Sequence, residues 1–150
     1  MTYVESFAEL ESDFLARVNQ VVWCNVATVD TRGRPRSRIL HPIWEGATGW
    51  ITTDPRTLKA RHLASNPHVS LAYIADLAQP VYVDCVAEWV EDRTVKQRVW
   101  DLCLNSEPPV GFDPEPIYQS VDGPRFGVLR LTPWRVQLMD GPGASRIWLA

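Results

Sequence analysis

Short apolar segments separated by turn residues predict a chain that is dominated by β-strands. Val, Ile, Tyr and Trp recur in runs bounded by Gly, Pro, Asn and Asp, which is typical of strands joined by turns. The connections between successive runs are short, whereas parallel strands need helical crossovers, so an antiparallel sheet is predicted. The predicted strands are 21–29, 35–44, 50–53, 68–75, 81–90 and 125–139, the last one interrupted at Pro133.

Helical periodicity occurs in three places. A capping box formed by Ser6 and Glu9 precedes regularly spaced apolar residues, which predicts a helix over 6–19. Asp54 followed by proline predicts the start of a helix over 55–65, and 91–104 carries apolar residues on one helical face. A mainly β fold with six strands and about three peripheral helices is typical of a closed or nearly closed antiparallel β-barrel. Its 150 residues predict a single domain, 1–150.

Composition narrows the classes of function. Hydrophobic residues make up 45% and charged residues 22% of the chain, which excludes disordered and fibrous classes. A net charge of -3 has the wrong sign for nucleic-acid binding through the overall field. The 3 cysteines lack C-x-x-C spacing, so buried thiols in a reducing compartment are expected rather than disulfides or a metal site. Neither a signal peptide nor an apolar span is visible, so we expect a cytoplasmic protein without membrane contact. The 7 tryptophans weakly favour a dimer.

Basic and hydroxyl side chains converge in the stretch 34–67. Arg36 and Arg38 are two residues apart and therefore face the same side of a strand. Threonines surround the start of the second predicted helix, where free N–H groups and the helix dipole favour an anion. The pattern predicts a phosphate site, with a solvated basic strand face as the alternative. Its proposed members are Arg36, Arg38, Thr52, Thr53, Thr57 and Lys59.

Three segments within residues 34–71 resemble the pyridoxamine 5'-phosphate oxidase-like family of flavin- and deazaflavin-binding split β-barrels. They are Arg-Pro-Arg-Ser-Arg-Ile, Ile-Thr-Thr and Lys-Ala-Arg-His-Leu-Ala-Ser-Asn-Pro-His-Val-Ser-Leu. The order of elements agrees from the first helix to the last strand, and the specific part is 33–71. The resemblance implies a six-stranded split barrel and a homodimer with two cofactor sites at its interface, each built from both chains.

The resemblance also implies roles for single residues. Arg38 would meet the flavin phosphate, together with the hydroxyl of Thr57 and with Lys59. The backbone of Ile39 and Leu40 would pass the flavin ring, and Thr52 and Thr53 would supply a pair of hydroxyls. Gln79 is a weaker match to a glutamine near the ring, and Leu58 stands where the family often has a basic residue.

The implied function is a flavin-dependent oxidoreductase that transfers hydride to or from a small organic substrate. FMN is favoured because its phosphate motif is complete. The 8-hydroxy-5-deazaflavin coenzyme is the alternative, and its acidic tail would need additional cations, which Arg56 and Arg61 could supply. A nicotinamide nucleotide or a reduced deazaflavin would be the electron donor. No catalytic side chain and no metal ligand can be assigned. The C-terminal stretch lacks the basic, histidine-containing segment that grips the substrate phosphate, so oxidation of pyridoxamine phosphate is not expected.

Two other functions fit the same barrel. A non-enzymatic carrier could hold a cofactor or haem, with His41 or His68 as the axial ligand. A structural dimer with a vestigial site is the third hypothesis, for which Leu58 is the hint. The proline-rich segment 105–124 is predicted to be a long loop, and its apolar residues favour a docked loop that could act as a substrate lid.

Overall fold

The computed structural model describes all 150 residues, Met1–Ala150, and confirms the mainly β, split-barrel class. It contains nine strands rather than the predicted six, and four α-helices. A 3-10 turn, Phe7–Glu9, precedes the first helix. In chain order the elements are β1 (Thr2–Tyr3), α1 (Glu11–Val21), β2 (Cys24–Val29), β3 (Pro35–Leu40), β4 (Ile43–Glu45), β5 (Thr48–Thr53), α2 (Leu58–Ser65), β6 (His68–Tyr73), β7 (Val81–Trp89), α3 (Arg93–Asn105), α4 (Glu115–Tyr118), β8 (Gly127–Met139) and β9 (Ser145–Leu149).

The long strand β8 organises the sheet. One of its edges pairs with β7 along the whole of that strand. Its other edge is shared, because β5 pairs with residues 127–131 and β9 pairs with residues 135–139. The pairing of β7 with β8 shifts register between Asp84 and Cys85, which lie opposite Arg135 and Pro133. This shift accommodates Pro133, which lacks an N–H to donate. All strand pairs are antiparallel except β1 with β9. The outer strands β3 and β4 each pair on one side only, so the barrel stays open.

Helix α1 closes one end of the barrel with its apolar side. Phe14 is 0% exposed, and its ring lies edge-on to that of Trp44 at a centroid distance of 5.0 Å. The indole of Trp44 donates a hydrogen bond of 3.0 Å to the hydroxyl of Tyr73. Burying a side chain such as Phe14 contributes about 1.5–3 kcal/mol. A second, smaller cluster packs α3 against β8.

Several predicted boundaries were wrong for local reasons. The Glu9 carboxylate accepts from the Ser6 N–H at 3.0 Å, but the turn it caps is 3-10 in form, and the α-helix begins at Glu11. That helix runs to Val21, so the next strand begins at Cys24 rather than at Val21. Residues of β2 alternate between buried and more exposed positions instead of being buried on both faces.

The second predicted strand is broken at His41 and Pro42, because proline cannot donate to a strand ladder. The second helix begins at Leu58 rather than at Pro55. The Asp54 carboxylate accepts from the backbone N–H of Arg56 at 2.9 Å, which forms a tight turn instead of a helix cap. None of the helices has the length and apolar composition that crossing a membrane requires.

Candidate cofactor site

Two half-buried cations lie together at the start of α2. Arg38, on β3, donates from Nη1 to Thr28 Oγ1 at 2.8 Å and to the backbone oxygen of Val26 at 3.2 Å. Lys59, on α2, donates from Nζ to Thr57 Oγ1 at 2.9 Å. Burial lowers the pKa of Lys59, and the positive charge of Arg38 lowers that pKa further, while the negative charge of Asp54 partly offsets both. We call Arg38 and Lys59 the cation pair.

The cation pair has no carboxylate partner. Neither residue forms a salt bridge, although the basic residues around it do. Asp30 binds Arg34 at 2.9 Å and faces Arg36 at 3.8 Å, while Asp54 binds Arg56 at 2.8 Å. Two like charges in a partly desolvated place repel each other unless an anion lies between them. The electrostatics therefore favour an anionic ligand at the cation pair.

The start of α2 adds N–H donors to the cation pair. Thr57 has the extended conformation of an N-cap residue, but its hydroxyl donates to the backbone oxygen of Asp54 at 3.0 Å. No side chain caps the helix. The first N–H groups of α2 are therefore left without a side-chain acceptor, at the end of the helix where the dipole is positive.

A second layer of residues that the sequence did not indicate holds Arg38 in place. An arginine can only donate, so the Thr28 oxygen accepts from Arg38 and its own O–H is free to donate to His62 Nδ1, 2.9 Å away. His62 is 3% exposed. In the sheet register Arg38 lies opposite Val26, so Thr28 is two residues further along β2. That register is the signal that could have predicted the contact between Thr28 and Arg38.

A pocket of about 330 Å³ lies on the same face of β3 as Arg38, because Leu40, two residues after Arg38, lines it. Tyr118, from α4, donates its hydroxyl to the backbone oxygen of Thr52 at 2.9 Å. The segment 105–124 is thus docked against the pocket, as its apolar residues predicted, but the prediction of a loop throughout was wrong because α4 lies within it. The pocket is lined by Trp23, Leu40, His41, Thr52, Thr53, Phe112, Ile117 and Tyr118.

Six of the nine predicted binding residues lie in two groups. Arg38, Thr57 and Lys59 lie together at the start of α2, and Leu40, Thr52 and Thr53 line the pocket.

The other three predicted residues lie apart from the pocket in this chain. Arg36 is exposed and faces Asp30, Ile39 is 61% exposed on the outer strand β3, and Gln79 lies in the exposed turn between β6 and β7. Their roles at the cofactor stay predictions. No group of three or more His, Cys, Asp or Glu side chains is placed to hold a metal ion.

Comparison with known proteins places this chain among related folds. The family model described as pyridoxamine 5'-phosphate oxidase matches residues 10–140. A protein from Clostridium acetobutylicum related to general stress protein 26 of Bacillus subtilis is 18% identical, with 94% of each chain covered and a TM-score of 0.74.

Two further solved structures carry the same fold. A heme binding protein from Mycobacterium smegmatis is 22% identical with a TM-score of 0.72, and the match covers 97% of this chain and 59% of that one. An F420 reductase is 17% identical with a TM-score of 0.61, covering 81% of this chain and 94% of that one. At such low identities, the similarity to these structures shows that the fold is shared and nothing about function. No curated protein matches the sequence.

Proposed function

This chain belongs to the pyridoxamine 5'-phosphate oxidase family, and we propose that it is an oxidoreductase that binds FMN. The observation that carries the proposal is the cation pair, Arg38 and Lys59, which lacks a carboxylate partner beside an uncapped helix start. The cofactor phosphate would lie between these groups and the N–H groups at the start of α2, while the Thr57 hydroxyl, which donates to the Asp54 backbone oxygen, would hold Lys59 in place. Arginine offers a planar fork to phosphate and lysine a point charge, so the two act together.

The chain's own residues would bind and orient the cofactor. When bound, a flavin supplies the hydride chemistry, so no side-chain acid or base is required for that step. The pocket beside Leu40, Thr52 and Thr53 is the adjoining space for the ring and a small organic substrate. FMN is favoured over the deazaflavin coenzyme because Arg56, one of the cations needed for its acidic tail, is bound by Asp54. Arg61 is exposed and has no salt bridge.

Titration of the purified protein with FMN tests the proposal. Charge-assisted hydrogen bonds contribute about 1.5–3 kcal/mol each, so Arg38→Ala and Lys59→Ala should each raise the Kd roughly tenfold to a hundredfold. Arg32→Ala is the matched control, since Arg32 is an exposed turn residue without a salt bridge. Equal affinities in all four proteins would contradict phosphate binding at the cation pair.

The same titration with the deazaflavin coenzyme separates the two cofactors. Binding of this coenzyme in preference to FMN, weakened by Arg61→Ala, would replace FMN in the proposal. Turnover of the loaded protein with a nicotinamide nucleotide would then be compared with turnover supplied by reduced deazaflavin. No turnover with either donor, despite saturable binding, would favour a carrier over an enzyme.

A homodimer completes the proposed site. Strand β3 pairs on one side only, and its residues are exposed or half-buried on both faces. Ile39 on this strand is 61% exposed, and the nearby Trp23 is 58% exposed. A second copy covering β3 would bury both side chains. Sedimentation equilibrium should give a dimer that Ile39→Asp weakens. A monomeric wild type would contradict this part of the proposal.

Haem binding is a second candidate, favoured by one observation. His41 lines the pocket, whereas the exposed His68 lies against Trp134 on another part of the sheet, with a centroid distance of 6.4 Å. A Soret band that forms on haem addition and is lost in His41→Ala would support an axial ligand at this position. A silent titration would remove haem from the candidates.

A further inference from the structure

The chain has two non-glycine residues with a positive φ, and both lie next to residues that line the pocket. Val22 has a φ of 46° and Gln119 a φ of 72°. Each is the middle residue of a tight turn that is closed by a backbone hydrogen bond between its two neighbours. Trp23 follows Val22, Tyr118 precedes Gln119, and both line the pocket. Because such backbone strain is concentrated at functional sites, it favours a ligand site here over an accidental groove.

Aromatic and apolar side chains line the pocket and are in part open to solvent. The rings of Trp23, His41 and Phe112 follow one another, with centroid distances of 5.2 Å and 5.3 Å. Trp23 is 58% exposed and Ile117 is 45% exposed. A ligand that covers these side chains gains free energy, because it removes apolar surface from water. Flat rings gain more, since they also stack on aromatic side chains. The lining therefore favours a flat apolar ligand.

No charged side chain lines the pocket. Its lining residues include no Asp, Glu, Lys or Arg. His41 is the only lining side chain that can become cationic, and burial lowers its pKa, so its ring is neutral near pH 7. A phosphate or carboxylate would be desolvated here without an ionic partner, which is costly. In the proposed function the cation pair is taken by the cofactor phosphate and does not serve a second anion. The pocket therefore suits an uncharged group.

We propose that this pocket binds the substrate and that the substrate is an uncharged aromatic compound whose ring lies against Trp23 and Phe112. A volume of about 330 Å³ accommodates a small ring system. Trp23 and Phe112 are then specificity-determining residues, because they favour flat rings over saturated ones of the same size. The inference rests on the proposed function, since the bound FMN would act on this substrate.

Naphthol, naphthoate and decalol, each substituted at the same ring position, separate charge from flatness. Naphthol is flat and uncharged, naphthoate is flat and anionic, and decalol is uncharged but not flat. Titrations of the FMN-loaded protein at pH 7, followed by ligand-observed NMR, should give naphthol an affinity about tenfold or more above that of naphthoate. Its affinity should exceed that of decalol about two- to tenfold, the value of aromatic stacking. Equal binding of naphthol and naphthoate, or of naphthol and decalol, overturns the proposed substrate class.

Variants of the exposed wall residues test whether the probe binds in this pocket. Trp23→Ser and Ile117→Ser should each weaken the binding of naphthol about three- to tenfold, because apolar contact area is lost. Trp134→Ser is the matched control, since Trp134 is 44% exposed and does not line the pocket. An unchanged Kd in both wall variants, or an equal loss in Trp134→Ser, overturns the assignment to this pocket.

Comparison of the apo and FMN-loaded proteins separates this inference from the proposed function. Binding of FMN followed by binding of naphthol supports both. If FMN displaces naphthol, the cofactor ring fills the pocket, and the assignment of the substrate to it is wrong although FMN binding stands. A wild type that binds no FMN but prefers naphthol contradicts the proposed function and still supports an uncharged aromatic ligand. A wild type that binds naphthol in neither form overturns the inference.

Discussion

Replacing Thr28 by valine tests whether the second layer positions the cation pair. Thr28 joins two elements, since its hydroxyl oxygen accepts from Arg38 at 2.8 Å and lies 2.9 Å from His62 Nδ1. Thr28 is 3% exposed, so water cannot replace the missing hydroxyl in the folded state. Valine has nearly the same shape, and the change therefore removes the hydrogen bonds while it leaves packing largely intact.

Two magnitudes follow for Thr28→Val. His62 Nδ1 would be buried without a partner, which costs about 1–3 kcal/mol in the free energy of unfolding. Arg38 would keep only its contact with the Val26 oxygen, and the loss of one positioning hydrogen bond is worth about 0.5–1.5 kcal/mol. The Kd for FMN should therefore rise about two- to tenfold, less than in Arg38→Ala.

Urea unfolding and FMN titration measure these two effects separately. Thr28→Ser keeps the hydroxyl and serves as the control. In a double-mutant cycle, Thr28→Val combined with His62→Leu should cost less than the sum of the single changes, because both polar groups are then gone. Additive costs, or a Thr28→Val protein as stable as Thr28→Ser, would refute the reasoning about the contact between Thr28 and His62.

Three other outcomes can be measured on the same protein. Burial raises the pKa of Cys24 and Cys103 to about 12, so a thiol reagent at pH 8 should react only after unfolding, and rapid labelling of the native state would contradict this. Tyr118→Phe should destabilise the protein by about 1 kcal/mol and speed proteolysis of 105–124, whereas unchanged cleavage would argue against anchoring by the hydroxyl. Neighbouring backbone N–H groups lower the pKa of Asp30 to about 2. Its ionised form therefore stabilises the fold above the ordinary pKa of about 4, and this contribution is lost as the pH falls toward 2. Asp30→Asn should reduce the acid sensitivity of unfolding, and an identical pH profile would exclude this role.

The hydrophobic pattern predicted the central strands because each of them has one buried face. In β6 and β7 buried residues alternate regularly, and the period of two is visible in the sequence. Strand β9 was missed because it is short and follows a Gly/Pro segment that reads as a tail. It forms through pairing with β8 and β1, which is a long-range contact rather than a local propensity.

The candidate site likewise has one part that the sequence predicted and one part that it did not. Thr57 and Lys59 are two residues apart and lie at a helix start, so sequence proximity was enough to group these two, and Arg38 was added through its chemistry and the family resemblance. The contact between Thr28 and His62 spans 34 residues, and the hydroxyl of Tyr118 reaches a backbone oxygen 66 residues away. Such contacts depend on strand order and loop docking. Neither is encoded in the spacing of residues along the chain.

Stability and binding make opposite demands on the cation pair. Burial disfavours the charged forms of Arg38 and Lys59, and a neighbouring cation also repels each of them, Arg36 in the case of Arg38 and Arg38 in the case of Lys59. Hydrogen bonds that they donate to Thr28, Val26 and Thr57 nevertheless hold them in place. A fold selected for stability alone would pair each cation with a carboxylate, as it does for Arg56. Because the repulsion is present before any ligand arrives, an anion that binds here recovers that energy and need not reorganise the site. This preorganisation supports the proposed anion site over a solvated basic face.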